Sequence, residues 1–112
     1  MHIGLVGLGR MGSNMRSRMR DRGVKVTGYD PNPAVTDVPD LAGLAAAIPA
    51  PRVAWVMVPS GRATTGVIKD LAGVLEEGDL VIDGGNSKYT VDQPHAHALG
   101  EKGIHFVDCG VS

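Results

Sequence analysis

The run His2-Ile3-Gly4-Leu5-Val6-Gly7-Leu8-Gly9-Arg10-Met11-Gly12 decides how this chain folds. Its first five residues suit a short buried strand, and Met11 to Arg22 reads as a helix. Between the two elements three glycines divide one task. Gly7 permits the tight turn, Gly9 removes the side chain that would hold a pyrophosphate off the backbone, and Gly12 lets helix and strand pack closely. Phosphates placed there meet unpaired N–H groups at the positive end of the helix dipole. A second strand, Val24 to Tyr29, leads to Asp30, which lies 18 residues beyond Gly12. That is close to the roughly 20 expected for an acid that accepts from the adenosine ribose hydroxyls. Glycine is common in turns, so the bare pattern is weak. Strand, helix, second strand and acid in agreement mark a dinucleotide-binding βαβ unit.

Asp30 also bears on which dinucleotide binds. A carboxylate accepts from both ribose hydroxyls of NAD and repels the 2′-phosphate of NADP, whose sites use an arginine at or just after this point. The stretch Asp30-Pro31-Asn32-Pro33-Ala34 offers no arginine. Arg10, inside the glycine loop, can lean towards the adenine end, so NADP is disfavoured without being excluded. A second role for Asp30, capping the turn made by Pro31 and Asn32, is compatible with the first.

At 112 residues the chain is one domain, too short for a cofactor domain plus a substrate domain. Eleven Lys and Arg stand against twelve acids, a balance that gives no footprint for nucleic acid or a membrane surface. Arg10, Arg16, Arg18, Arg20 and Arg22 are most simply the solvated face of the first helix, with Met11, Met15 and Met19 as its inward stripe, and steering of an anionic cofactor or substrate is the lesser reading. Met1 leads directly into the first strand, so no signal peptide is expected, and no apolar run reaches membrane length. The single cysteine, Cys109, cannot form an internal disulfide, which suits a reducing cytoplasm. His95 and His97 stand two apart on an expected helix and face different directions, so no metal site is expected.

Further strands are expected at Val53 to Val58, Leu80 to Asp83 and Ile104 to Asp108, with helices at Asp40 to Ile48, Ala63 to Leu75 and about Lys88 to Lys102. Pro94 implies a kink or a late start in the last of these. Strand and helix alternate, which predicts an α/β, Rossmann-like doubly wound parallel sheet in a single domain. The segment Pro31 to Asp40 breaks the pattern. Ten residues with three prolines cannot hold a helix and a strand, so the segment after strand two is contracted, with Thr36 to Val38 a short edge strand at best.

In such a sheet, ligands bind beyond the carboxyl ends of the strands. The turn Met57-Val58-Pro59-Ser60-Gly61 follows one strand, and Asp83-Gly84-Gly85-Asn86-Ser87-Lys88-Tyr89 follows the next. Read alone, the second is a loop with an Asx-type helix cap. Together with the opening glycines and the terminal Val107-Asp108-Cys109-Gly110-Val111-Ser112, these segments resemble the decarboxylating 6-phosphogluconate dehydrogenases, within the wider β-hydroxyacid dehydrogenase group. The glycine loop is common to the group. Ile82-Asp83-Gly84-Gly85-Asn86-Ser87 with Tyr89 is the specific part, since relatives acting on hydroxyisobutyrate-like acids carry a Ser-Thr pair there.

The resemblance implies hydride transfer from C3 of 6-phosphogluconate to the nicotinamide and loss of CO2 to give ribulose 5-phosphate, in the pentose phosphate pathway. It implies that Asn86 bridges nicotinamide ribose and sugar acid, and that Ser112 binds the substrate carboxylate end. Cofactor contacts would come from Gly7, Leu8, Gly9, Arg10, Met11, Gly12, Asp30, Pro31, Asn32, Val58, Pro59 and Ser60. Many members carry Asn-Arg-Thr after strand two for NADP, whereas Asp30-Pro31-Asn32 resembles NAD-using relatives. The family's catalytic Lys and Glu fall beyond position 112, so no catalytic residue is expected in this chain. The expectation is a cofactor-binding domain, inactive alone, whose parent adds a helical domain and is a homo-oligomer. Two other readings stand beside it: the cofactor domain of another β-hydroxyacid dehydrogenase, and a stand-alone NAD-binding module without chemistry.

Overall fold

A computed structural model describes residues 2–57, 62–84 and 99–108, those at 62–65 and 108 without their side chains. Five strands form one parallel sheet: β1 (His2–Val6), β2 (Lys25–Tyr29), β3 (Val53–Val56), β4 (Leu80–Asp83) and β5 (His105–Asp108), in the order β2-β1-β3-β4-β5. The helices are α1 (Arg10–Asp21), α2 (Leu41–Ala47) and α3 (Arg62–Val74). Residues 99–101 are helical and lead into β5. The expected elements are therefore present where they are described, and the α/β parallel architecture follows. The helix expected to begin near Lys88 lies largely outside the described residues.

Both faces of the sheet are covered, but unequally. Alternate residues of each strand point to opposite faces. Val6, Ala54, Val56 and Val81 join Leu44 and Ile48 of the α2 region and Ile68, Leu71 and Leu75 of the α3 region in one core. On the other face Ile3, Leu5, Leu8 and Val26 pack with Met15 and Met19 of α1. Cross-strand register places Leu5, Trp55, Ile82 and Val107 side by side on this second face. Leu5 is fully buried and Val107 is 46% exposed. Cover thus thins away from α1. The expected methionine stripe holds for Met15 and Met19 and fails at Met11, which is 62% exposed. Met11 borders an open groove with Trp55 and Met57, where no described element lies over the sheet.

The contracted segment contains no strand. It nevertheless seals the edge of β2. In a parallel strand, alternate residues turn their N–H and C=O to opposite neighbours, and an outer edge needs partners as much as an inner one. The Asp37 N–H donates to the Gly28 carbonyl at 2.9 Å, and the Gly28 N–H donates to Asp37 Oδ2 at 2.8 Å. The Asp30 N–H donates to Thr36 Oγ1 at 3.1 Å. Arg20 Nη2 donates to the Val26 carbonyl at 2.7 Å. One backbone N–H and three side chains take the place of a strand.

Those contacts revise the reading of α1. Arg16 and Arg20 are one turn apart and share a face. Both reach Asp37 Oδ2, at 3.3 and 2.9 Å, and the Arg16 side chain is only 16% exposed. Arg16 is therefore largely covered, while Arg20 stays 46% exposed; both act as struts that hold the contracted segment to the helix. A second charged cluster ties the opposite end of the sheet. Asp79, 1% exposed, accepts from the N–H groups of Arg52 and Glu76 at 2.7 and 2.8 Å and from Arg52 Nη1 at 3.3 Å. Arg52 Nε donates to the Ala45 carbonyl at 2.8 Å.

Burial pushes both carboxyls up, but their hydrogen bonds and guanidinium partners outweigh it, so Asp37 and Asp79 titrate below the ordinary carboxylate value. A carboxyl lowered in the folded state stabilises fully above its unfolded pKa of about 4, and that stability is lost as pH falls through the folded value. Denaturant midpoints should therefore hold above about pH 4 and drop below it, more steeply in the parent chain than in Asp79→Asn. Asp79→Ala, which removes the buried acceptor of the Arg52 and Glu76 N–H groups, should cost about 3 kcal/mol in urea unfolding.

Candidate functional site

The turn between β1 and α1 is built by two glycines with no substitute. Gly7 has φ +98°, a conformation that side-chain-bearing residues rarely adopt. A Cβ on Gly12 would run into the Gly7 carbonyl. Gly9 is different. It caps α1 with φ −68° and ψ −166°, an ordinary extended conformation, is exposed, and a Cβ there would meet nothing within 4 Å. Nothing in the protein itself requires glycine at this position. A ligand that approaches the backbone from outside would meet no side chain there.

What the backbone offers there is a set of donors. The Ser13 N–H makes the first helical bond, to the Gly9 carbonyl, at 2.8 Å. The N–H groups of Arg10, Met11 and Gly12 precede it and so have no partner within the helix. Gly9 brings no capping side chain and no acid occupies the first turn. An anion fits both the donors and the dipole.

Asp30 stands at the end of β2 with its carboxylate already oriented. Oδ2 accepts from the Leu8 N–H at 2.8 Å, and Oδ1 accepts from the Asn32 N–H at 2.9 Å. The turn-capping role is therefore real. Two bonds do not exhaust a carboxylate, whose two oxygens offer about four acceptor positions, so room is left for a pair of hydroxyls. Asn32 Oδ1 in turn accepts from the Ala34 N–H at 3.0 Å. Pro31 and Asn32 are exposed beside it.

The structure brings Gly7, Leu8, Gly9, Arg10, Met11, Gly12, Asp30, Pro31 and Asn32 to one end of the sheet, beyond the carboxyl ends of β1 and β2. Leu8 plays a different part from the others: its side chain is 3% exposed and its N–H is engaged by Asp30. Val58, Pro59, Ser60, Asn86 and Ser112 lie outside the described residues. Asp83 and Gly84, which open the second loop, are buried at the end of β4, and a Cβ on Gly84 would strike the Trp55 ring. Sequence reasoning missed Asp37, Arg16 and Arg20. The spacing of the two arginines was a usable signal; the distance of Asp37 from them along the chain hid the pairing. Among the described residues no cluster of His, Cys, Asp or Glu suits a metal ion, and no helix is long and apolar enough to cross a membrane.

A sequence profile described as the NAD binding domain of 6-phosphogluconate dehydrogenase matches residues 2–112. The chain belongs to the 6-phosphogluconate dehydrogenase family. It is 38% identical over 124 residues to the decarboxylating 6-phosphogluconate dehydrogenase of Haemophilus influenzae, covering 98% of this chain and 26% of that protein. It is 34% identical over 123 residues to the NAD(+)-dependent decarboxylating enzyme of Bacillus subtilis strain 168, with the same coverage. In structure it superposes on Plasmodium falciparum 6-phosphogluconate dehydrogenase with a TM-score of 0.83 at 25% identity, covering 95% of this chain and 26% of that one. The chain thus spans about a quarter of these dehydrogenases and corresponds to their NAD-binding domain.

This geometry separates binding from folding. Gly9→Val should leave the domain folded at a cost of about 1 kcal/mol for a poorer helix cap, while NAD affinity measured by calorimetry should fall at least about tenfold if a pyrophosphate approaches the backbone here. Gly12→Ala should instead lower stability by about 2 kcal/mol, the cost of forcing a methyl against packed backbone.

Proposed function

We propose that this chain is the cofactor-holding part of a longer enzyme that oxidatively decarboxylates 6-phosphogluconate to ribulose 5-phosphate with NAD, as part of cytoplasmic pentose phosphate metabolism. The observation that carries the cofactor half is the Asp30 carboxylate, oriented by the Leu8 and Asn32 N–H groups at the point where a ribose meets a Rossmann sheet. Gly9 and the first turn of α1 receive the pyrophosphate. No arginine occurs between Asp30 and Arg52, so a 2′-phosphate would meet a carboxylate and no local cation from this segment.

The substrate half rests on the Ile82-Asp83-Gly84-Gly85-Asn86-Ser87 run and on the names of the decarboxylating relatives. Asn86 is assigned to the nicotinamide ribose and the sugar acid, Ser112 to the substrate carboxylate, and Val58, Pro59 and Ser60 to the cofactor. Bound NAD supplies a two-electron acceptor for the hydride leaving C3. The residues of this chain hold and orient; the groups that take the hydroxyl proton and protonate the enediol are assigned to the remainder of the enzyme. The apolar row from Leu5 to Val107, covered by α1 at one end and 46% exposed at the other, supports a further domain packed against that face.

Purified full-length enzyme carrying this domain should release CO2 and form NADH in equal amounts from 6-phosphogluconate. NADH formed from a hydroxyisobutyrate-like acid without CO2, and none from 6-phosphogluconate, would assign it to another β-hydroxyacid dehydrogenase. The 112-residue chain alone should bind NAD and turn over neither.

A further inference from the structure

Asp37 touches the backbone of β2, two residues before Asp30, and two guanidinium groups of α1. Its Oδ2 accepts from the Gly28 N–H at 2.8 Å, from Arg20 Nη2 at 2.9 Å and from Arg16 Nη1 at 3.3 Å. Arg16 Nη1 also donates to the Val35 carbonyl at 2.9 Å. Gly28 makes this convergence possible: a Cβ there would lie 3.3 Å from Arg16 Nη1 and closer still to the Leu8 side chain. The turn that leaves Asp30 is therefore pinned at both ends. At its start, Asn32 donates to Asp30 Oδ1 at 2.9 Å. At its close, Thr36 accepts from the Asp30 N–H at 3.1 Å, and Asp37 fastens to Gly28.

We propose that Asp37 is a specificity-determining positioning residue for NAD: it fixes the 31–36 turn that holds Asp30 in place, and it engages Arg16 and Arg20, two α1 cations that reach across to that segment. The inference rests on the reading of Asp30 as the ribose acceptor. Both effects act in the same direction. A fixed Asp30 favours a ribose with a free 2′-hydroxyl, and the Asp37 carboxylate offsets one of the two guanidinium charges and holds both side chains by hydrogen bonds, which lessens their pull on a 2′-phosphate. An aspartate that served only to seal the sheet edge would do neither. Losing it would weaken both dinucleotides in the same proportion, through the folded fraction alone.

The test is calorimetric titration of the 112-residue chain with NAD and with NADP, for the unmodified protein, Asp37→Ala, Asp37→Asn and Asp30→Ala, each checked for folding by circular dichroism. In Asp37→Ala the NAD-to-NADP affinity ratio should fall about tenfold, with weaker NAD binding and NADP binding that is unchanged or tighter. Asp37→Asn keeps an acceptor for the Gly28 N–H and loses the charge. It should restore most of the NAD affinity while leaving NADP gained relative to the unmodified chain. Equal losses for both cofactors, or an unchanged ratio, would overturn the proposal. If Asp37→Ala does not fold, the ratio in Asp37→Asn decides in the same way. The underlying reading fails separately: if the unmodified chain binds neither dinucleotide, or Asp30→Ala leaves the ratio unchanged, Asp30 is not the ribose acceptor.

Discussion

An edge strand cannot leave its backbone donors and acceptors unpaired beneath a packed layer. That constraint governs the half of this domain where the cofactor binds. In the usual dinucleotide fold a third strand satisfies the outer side of strand two. Here ten residues replace a helix and a strand, and the outer side of β2 is satisfied piecemeal by Asp37, Thr36 and Arg20. The substitution reaches further than the edge itself. Asp37 draws Arg16 and Arg20 across from α1, so helix, strand and turn become one unit around the acid at the end of β2. The Leu8 N–H completes it by joining the glycine turn to the same acid.

Much of this was readable from the chain, and the reasons differ from element to element. The buried strands are short, apolar and separated by glycine or proline, so their existence and order followed from period and punctuation. Gly7 and Gly12 are dictated by backbone geometry that the motif already encodes. Asp30 was found because its spacing from the glycines is set by one helix and one strand. Thr36 to Val38 could not be read correctly, because the sequence shows only that a strand would not fit, and not what would replace it. Arg16 and Arg20 were misread for a related reason. Solvated arginines on a helix are the common case, and only the fold brings Asp37 within reach of them. Met11 was placed inward by helical period, yet period says nothing about whether a neighbouring element exists to cover that turn.

The two faces of the sheet also differ in what they are finished for. One is closed by α2 and α3 over a continuous core. Among the described residues the other is closed only near α1, and its apolar row runs from a fully buried Leu5 to an exposed Val107. The end of the sheet that carries the glycine turn brings together, among the described residues, unpaired helix donors, an acid tethered by the Leu8 and Asn32 N–H groups, and a bare approach at Gly9.

The most direct test is to record amide 1H–15N spectra of the isotope-labelled chain during titration with NAD. The account predicts that the largest shifts fall on Leu8 to Ser13 and on Asp30 and Asn32, with the amides of Arg52, Glu76 and Asp79 at the opposite end of the sheet unmoved. Shifts concentrated at that opposite end, or saturation with no change at Leu8 to Ser13, would contradict it.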